Sequence, residues 1–179
     1  MTERLPVLIR QESIADHDAI RSLTARAFAG LSFSDGTEPR VIDELRRVNA
    51  LVSSLVALVG EQIVGHVAFS PVGPPALQGW FALGPLSVEP SFQRRGVGTQ
   101  LVEAGLETLR AHGAKGCVLA GDHRYYRLFG FSVAPAWAPP EYPAQHFQVL
   151  AFGAVLPHVR IAFHAAFSAG GGVGGRPTA

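Results

Sequence analysis

The order of predicted elements indicates an α+β protein built around a mixed sheet. Two features support this prediction: two helical segments precede three consecutive runs of strand-forming residues, and a long amphipathic helix separates those runs from a later buried strand. The chain has 179 residues, of which 47% are hydrophobic and 16% charged, so it is long enough for one domain with a sizeable core. We predict a single domain over residues 1–168 and a disordered glycine-rich tail over residues 169–179.

The N-terminal half is predicted to form a strand, two helices and a hairpin. Apolar residues recur at three- and four-residue intervals in both helical segments, with Asp16 and Thr37 as N-caps. Pro39 falls in the first turn of the second helix, where its missing N–H does little harm, and Val48 is expected on the buried face of that helix. The turn Gly60-Glu61-Gln62 separates two strand-forming runs and predicts the hairpin.

The C-terminal half is predicted to alternate strands with helices. Gly84 and Pro85 interrupt a run of strand formers, so a regular ladder is not expected to continue through it. A long helix with an apolar face follows and ends before Gly113. In chain order, the predicted elements are a strand at 7–10, helices at 13–28 and 37–48, strands at 54–59, 63–70 and 80–88, a helix at 98–112, a strand at 116–120, a short helix at 125–129, an extended stretch at 131–133, and a final pair of strands at 147–152 and 159–164.

Composition argues against several classes of function. The formal net charge of +1 provides no general field for holding nucleic acid or an anionic membrane. Cys117 is the only cysteine and the histidines lack metal-ligand spacing, so neither a disulfide nor a metal site is expected. The N-terminus has no signal-peptide pattern, and no stretch reaches the roughly 18 apolar residues of a membrane helix. We therefore predict a cytoplasmic protein that binds neither nucleic acid nor membrane.

The segment from residue 86 to residue 113 is the most informative. An apolar strand ends at Val88, a Glu-Pro-Ser turn follows, and Gln93-Arg94-Arg95-Gly96-Val97-Gly98 leads directly into the long helix. Glycines let backbone N–H groups approach a ligand closely, and the N–H groups and dipole of a helix N-terminus favour anions. With two arginines beside it, this segment predicts a pyrophosphate cradle.

Missing residues disfavour two other nucleotide-binding sites. A Walker-type site for a nucleoside triphosphate would end in Gly-Lys-Ser or Gly-Lys-Thr, and that ending is absent. A dinucleotide site would need a third glycine at the position that Leu101 occupies. An enzyme of either kind is therefore the weaker hypothesis.

Two motifs resemble those of a known family. The run Q-R-R-G-V-G after L-S-V-E-P is similar to the acyl-CoA-binding motif of the GCN5-related N-acetyltransferases (GNAT). The run from Tyr125 to Phe131, Y-Y-R-L-F-G-F, resembles that family's later motif, a tyrosine followed four residues on by Gly-Phe. Together with FQVLAF and IAFHAAF, these motifs are similar to the YhbS-like predicted acetyltransferases within the family. The resemblance covers nearly the whole chain except the tail.

This resemblance implies a fold and a way of holding an acyl donor. The fold would be the GNAT-type acyl-CoA N-acyltransferase fold, a mixed, mostly antiparallel sheet with helices on both faces and a V-shaped splay between its two central strands. Acetyl-CoA would lie in the splay as co-substrate, with no metal, its pantetheine arm on the strand before the cradle and its pyrophosphate on the cradle amides. The binding residues implied in this way are Leu86, Ser87, Val88, Gln93, Arg94, Arg95, Gly96, Val97, Gly98 and Thr99.

The resemblance also implies the chemistry of an N-acetyltransferase. An amine would attack the thioester directly, and Tyr126 would act as general acid and protonate the departing CoA thiolate. A phenol titrates near 10 and a thiol near 8.5, so this proton transfer is feasible. Many members of the family have an asparagine at the head of the short helix that helps to anchor pantetheine, and the segment Gly121-Asp122-His123-Arg124 has none. The general base is open between a chain of waters and four side chains: Glu38, His66, Glu89 and Asp122.

The acceptor is expected to be a small-molecule amine or a peptide. The first two helices and the loop from Phe28 to Gly36 would wall its side of the site, and a homodimer is a common state in the resembling family. Candidate aromatic residues for the acceptor pocket are Phe28, Phe33, Trp80 and Phe81. A different class of function, a non-catalytic acyl-CoA-binding module, is the alternative, and the tyrosine at position 126 argues against it because a pure binder needs no proton donor.

Overall fold

A seven-stranded sheet organises the computed structural model, which describes residues 4–168, so the predicted tail lies outside the described residues. In chain order the strands and helices are β1 (Leu8–Gln11), α1 (His17–Phe28), α2 (Glu38–Arg47), β2 (Ser53–Val59), β3 (Gln62–Pro71), β4 (Trp80–Val88), α3 (Val97–Ala111), β5 (Gly116–Ala120), α4 (His123–Tyr126), β6 (Ser132–Val133) and β7 (Phe147–Ala151). The strand order is β1-β2-β3-β4-β5-β7-β6. Every neighbouring pair is antiparallel except β4 and β5, which are parallel.

Helices α1 and α2 cover one face of the sheet. Ile20 of α1 and Ile42 of α2 pack together on Val56 of β2, and all three side chains are almost completely buried. Burying an aliphatic side chain of this size contributes about 1.5–3 kcal/mol. The apolar spacing in both helical segments therefore predicts their buried faces correctly.

Helix α3 covers the opposite face. Leu101, Val102, Leu106 and Leu109 on its apolar face are all buried. Gly105 lets the helix lie close to β3, because a Cβ atom there would sit 2.2 Å from Cζ of Phe69. The central sheet is thus sandwiched between helices, as the family resemblance implies.

Strands β4 and β5 are joined at only one end. Trp80–Ala82 pair with Gly116–Val118, and the residues of β4 after Ala82 have no ladder partner in β5 within the part of the chain that the structure describes. On its other edge β4 carries a bulge, since Leu83 and Leu86 lie opposite Phe69 and Val67. The extra residue falls at Gly84-Pro85, where the sequence predicts that a regular ladder cannot continue. The strands therefore diverge, and the expected splay is confirmed.

The predicted strand at 159–164 is wrong. This segment makes a single bridge, Ala162 to Gly73, and its apolar side chains Ile161 and Phe163 pack onto the core around Phe147 instead. Strand β7, its expected partner, already pairs with β5 on one edge and β6 on the other. No edge of β7 was left for another strand.

Three local details differ from the sequence predictions. Asp16 and Thr37 do occupy the N-cap positions, but neither side chain bonds its helix. The Asp16 carboxylate accepts from Arg10 at 2.6 Å, and the Thr37 hydroxyl donates to Asp35. Val48 follows the end of α2 and is 40% exposed, so its predicted burial is wrong.

Within residues 4–168, no helix combines the length and apolarity needed to cross a membrane.

Candidate active site

The N-terminus of α3 forms a concave loop of backbone N–H groups. Arg94 and Gly96 both adopt left-handed conformations, with φ of 61° and 80°, and Gly96 is the N-cap. The first helical hydrogen bond runs from the Gln100 N–H to the Gly96 carbonyl, so the N–H groups of residues 97–99 have no partner within the helix. Left-handed residues next to helical ones turn successive N–H groups toward one point, which is the geometry of an anion-binding nest.

Contacts from the N-terminal segment hold this loop in place. The Leu5 N–H donates to the Arg95 carbonyl at 3.0 Å, and the Gln100 side chain donates to the Leu5 carbonyl at 2.8 Å and the Gly96 carbonyl at 3.1 Å. The carbonyls of the loop are therefore turned toward protein donors. These contacts hold the loop conformation while the N–H groups of residues 97–99 stay outside the hydrogen bonding of the helix.

Arg94 and Arg95 extend the cradle into solvent. Both are exposed, and the Arg95 guanidinium lies 5.5 Å from the centre of the Phe92 ring. Neither arginine makes a salt bridge with any carboxylate in residues 4–168. Both positive charges are thus available to an anionic ligand.

The residues predicted to hold pantetheine line the splay. Leu86, Ser87 and Val88 pair with β3 on one side, and their other side faces the gap that opens toward β5. Gln93 donates from its side-chain amide to the Val88 carbonyl at 3.1 Å, which ties the cradle loop to the end of β4. The structure therefore brings the predicted strand, loop and helix turn together at one end of the splay.

The short helix α4 presents the predicted general acid. It begins at His123, two residues earlier than predicted, because the Asp122 carboxylate caps it by accepting from the Arg124 N–H at 2.9 Å. Asp122 also forms a salt bridge with the Arg124 guanidinium. Asp122 thus caps α4, and this use of its carboxylate argues against it as the general base.

Tyr126 is packed in the core cluster that also contains residues of β4, α3 and β5. Its ring stands edge-on to Tyr125 and Phe131, at centroid distances of 5.0 and 5.8 Å, and lies directly against the backbone of Gly121. Burial raises the pKa of its hydroxyl well above the usual value, and nearby Tyr125 and Cys117 act in the same direction. The hydroxyl therefore stays protonated at neutral pH, which is the state that a proton donor needs.

Tyr125 lies beside the cradle, and the sequence did not indicate a role for it there. Its hydroxyl is buried and has no hydrogen-bond partner within residues 4–168. Burial raises the pKa of Tyr125 to about 12, against the opposing effect of the nearby Thr99 hydroxyl. A buried polar group of this kind usually has a partner in the working state of a protein.

The three remaining candidates for the general base differ in their contacts. Glu89 forms a two-pronged ion pair with Arg26, with a shortest distance of 2.8 Å, and is only 14% exposed, so it is not simply solvated. Glu38 is buried at the start of α2 with one carboxylate oxygen unpartnered. His66 is completely buried, and its Nδ1 has no partner within residues 4–168.

Several other candidate side chains belong to the core. Trp80 is 1% exposed and packs with Val118 and Phe147, so it does not shape an open pocket. Cys117 is completely buried, and burial raises the pKa of its thiol far above neutrality, so no thiolate nucleophile is present. Among the described residues, no group of three His, Cys, Asp or Glu side chains is arranged to hold a metal ion.

Comparison with known proteins defines the class. Residues 18–131 match the model of the acetyltransferase (GNAT) family, and this chain belongs to that family. It is 36% identical over 133 residues to the N-acetyltransferase YhbS of Escherichia coli strain K12. The matched region covers 72% of this chain and 75% of YhbS. It is 31% identical over 138 residues to the N-acetyltransferase YjhQ of the same strain, covering 74% of this chain and 72% of YjhQ.

Two solved structures are similar over most of the chain. A GNAT family acetyltransferase from Brucella melitensis in complex with acetyl-CoA superposes with a TM-score of 0.81 at 43% identity, covering 90% of this chain and 98% of that one. Escherichia coli YhbS in complex with CoA superposes with a TM-score of 0.80 at 30% identity, covering 97% of this chain and 98% of that one. The predicted family and fold are therefore confirmed.

Proposed function

We propose that this acetyltransferase moves the acetyl group of acetyl-CoA to an amine by direct attack, with Tyr126 as general acid. The observation that carries the proposal is that the splayed part of β4, the first turn of α3 and Tyr126 of α4 pack in one core cluster beside the N–H cradle. Similar proteins have been crystallised with acetyl-CoA and with CoA, which supports the same donor here.

The residues present fit this donor. The N–H groups of residues 97–99 would hold the pyrophosphate, Arg94 and Arg95 would face its negative charge, and the splay edge of residues 86–88 would pair with the pantetheine amides. Bound acetyl-CoA supplies an activated thioester, and the chain orients it and excludes water. A backbone N–H near Val88 would stabilise the oxyanion, and the neutral Tyr126 hydroxyl would protonate the departing sulfur.

Gly98→Glu tests the cradle. The new carboxylate would sit where the pyrophosphate is proposed to bind, while negative charge in the first turn suits the helix dipole. Each lost hydrogen bond to a charged oxygen is worth about 1.5–3 kcal/mol, so calorimetry should show CoA affinity falling by about two orders of magnitude or more. Ala111→Glu, at the exposed far end of α3, is the matched control and should bind CoA normally. Unchanged affinity in folded Gly98→Glu protein would contradict the cradle.

Tyr126→Phe tests the chemical step. It removes only the hydroxyl, so acetyl-CoA affinity should hold while kcat for an amine found by a CoA-release screen falls by about 10² to 10⁴. Tyr125→Phe is the comparison and should keep kcat near wild type, since that hydroxyl lies toward Thr99. Wild-type kcat in Tyr126→Phe, with chemistry shown to limit the rate, would assign the proton to another donor.

The screen also decides between an enzyme and a binder. Tight acetyl-CoA binding without turnover of any amine or peptide would favour the non-catalytic module. The identity of the acceptor, the cytoplasmic location and the homodimer stay predictions, for which CoA-release assays, cell fractionation and sedimentation are the respective measurements.

A further inference from the structure

A connected set of polar side chains is buried between the sheet and helices α1 and α2. Glu12, just after β1, accepts two hydrogen bonds from Arg46 of α2, both at 2.8 Å. The Ser54 hydroxyl of β2 donates to Glu12 Oε2, 2.5 Å away, which also accepts from Nη2 of Arg46. Ser54 also lies 2.8 Å from Nε2 of His66 in β3. The segment after β1 and the strands β2 and β3 thus place a carboxylate, a hydroxyl and an imidazole in a row.

The directions of these hydrogen bonds define the tautomer of His66. The Ser54 hydroxyl gives its proton to the Glu12 carboxylate, which can only accept, so the Ser54 oxygen must accept from the imidazole. Nε2 of His66 therefore carries the proton. Nδ1 is left with its lone pair, completely buried and without a partner in residues 4–168.

His66 stands beside the strand that would carry pantetheine. Its Cα atom lies opposite Ser87 of β4 in the ladder, and the Ser87 hydroxyl donates to Thr24 of α1, on the α1–α2 side of the sheet. The neighbouring residues Gly65 and Val67 face α3, so His66 faces the α1–α2 side as well. Its unpartnered nitrogen is thus on the side of the sheet where the amine substrate is expected.

We infer that His66 takes the proton from the ammonium form of the amine substrate through one water molecule, with Nδ1 as the basic atom and Ser54 and Glu12 as positioning residues. The inference rests on the proposed acetyl transfer and names the base for it. A buried nitrogen lone pair without a hydrogen bond, beside the strand β4, requires an explanation. Proton abstraction would use Nδ1, the one ring nitrogen that the hydrogen bonds to Ser54 and Glu12 do not occupy.

The proton balance closes with the groups on hand. The substrate ammonium gives one proton to Nδ1, and the resulting amine attacks the thioester carbonyl. The tetrahedral intermediate expels the CoA thiolate, which takes the proton of Tyr126, and the new amide nitrogen returns a proton to the tyrosine. His66 then releases this proton from Nδ1 to solvent through the same water, so that Nε2 keeps its proton and the Nδ1 lone pair is restored. One proton is released for each acetyl group transferred.

The surroundings of His66 lower the pKa of the ring and keep it neutral, which is the form that can accept a proton. Burial lowers the pKa of the ring, while Glu12 raises it and Arg46 lowers it. Burial opposes the charged form of Glu12, but its hydrogen bonds from Arg46, His66 and Ser54 outweigh this and lower its pKa. From the strands beside it, the ring faces Ser54 of β2 and lies opposite Ser87 of β4. The charged groups that act on the ring are Glu12 and Arg46, and these are contacted in turn by His17 of α1 and Asp43 of α2.

His66→Gln is the decisive variant, because its amide can still donate to Ser54 but offers no basic nitrogen. With an alkylamine that is protonated at pH 7, kcat/KM should fall by about 10² to 10⁴ and recover as pH approaches the pKa of the amine itself. With an amine that is already neutral at pH 7, the same variant should remain near wild type. Acetyl-CoA affinity should not change.

Two further variants separate chemistry from packing. Ser54→Ala should give a smaller loss, about fivefold to tenfold, because it removes one orienting hydrogen bond and keeps the base. Ser70→Ala is the control, since Ser70 is a buried serine of β3 on the same side of the sheet as His66, and its hydroxyl has no hydrogen-bond partner among residues 4–168. It should leave the pH profile unchanged.

The tautomer can be measured without any turnover. Nitrogen-15 NMR of labelled histidine should show Nε2 protonated and Nδ1 bare in the wild-type protein near neutral pH. A proton on Nδ1 would overturn the inference, as would equal losses for protonated and neutral amines in His66→Gln. The same pH signature in Glu38→Gln instead would assign the base to Glu38. Failure of the wild-type protein to acetylate any amine would instead refute the proposed function, and the base with it.

Discussion

Gly121→Ala should displace the proposed general acid without touching its chemistry. A Cβ atom at Gly121 would lie 2.6 Å from Cε2 and 3.1 Å from Cδ2 of Tyr126, and 3.4 Å from Cδ1 of Leu119. The tyrosine ring must move about 0.8 Å to restore an ordinary contact of 3.4 Å. It cannot move freely, because Tyr125 and Phe131 hold it edge-on from other directions.

Two magnitudes follow from this geometry. Overpacking of a well-filled core costs about 1–3 kcal/mol, which lowers the melting temperature by about 2–4 °C per kcal/mol in a chain of this size. A catalytic group misplaced by about 1 Å can cost a factor of about 10² in rate. We therefore expect a folded protein of reduced stability, a kcat about 10²-fold lower, and nearly unchanged acetyl-CoA affinity.

A double-mutant cycle with Tyr126→Phe separates the two effects. Phenylalanine keeps the ring atoms that clash, so the stability cost of Gly121→Ala should persist in that background. The kcat cost should disappear, because the hydroxyl that it displaces is already absent. Thermal unfolding and CoA-release kinetics on the four proteins complete the measurement. A kcat loss of equal size in both backgrounds would refute the reasoning, since Gly121 would then act on something other than the tyrosine hydroxyl.

Three further predictions concern charge and burial. Replacing Arg94 and Arg95 together by alanine should weaken CoA binding by about 1 kcal/mol or less per residue and flatten its salt dependence; an equal loss for a phosphate-free pantetheine analogue would show another role. Glu12→Gln should cost about 3 kcal/mol at pH 7, because it breaks a pair with Arg46 in which each side chain is 12% exposed. Because folding lowers the pKa of Glu12, its contribution to the free energy of unfolding is complete above its unfolded pKa near 4.3 and is lost as pH falls below that value. The free energies of unfolding of the two proteins, measured by denaturation, should therefore converge in acid. A difference that stays constant with pH would contradict this reasoning. Finally, native Cys117 should react with a thiol reagent only at the rate of unfolding, and rapid labelling would show that the strand opens locally.

Local sequence rules determined the elements that build the cradle. The apolar spacing of α3, its glycine stop and the Gly-x-Gly before it all act within one turn of their own position, so the sequence is sufficient to predict them. The structure places the helix at Val97–Ala111, one residue from the predicted bounds, and strand β5 at the predicted Gly116–Ala120. The interruption of the β4 ladder at Gly84-Pro85 could also be predicted from the sequence, because this residue pair cannot continue a regular ladder wherever it occurs.

Contacts between distant segments were decided only by the tertiary structure. The segment at 159–164 has strand-like alternation, yet it became a loop because both edges of β7 were already paired. The carboxylates of Asp16, Glu89 and Asp122 have arginine partners, and only the coordinates show which ones.

The hydrogen-bonded set of Glu12, Ser54 and His66 beside β4 is the clearest case of a feature that only the tertiary structure decided. Glu12 and Ser54 are 42 residues apart, and Ser54 and His66 are 12 apart, so only the register of β1, β2 and β3 brings them within hydrogen-bonding distance. The sequence determined that a histidine stands on a buried strand. Which of its nitrogens is protonated, and therefore what it can do, follows from donor and acceptor directions that exist only after the strands have paired.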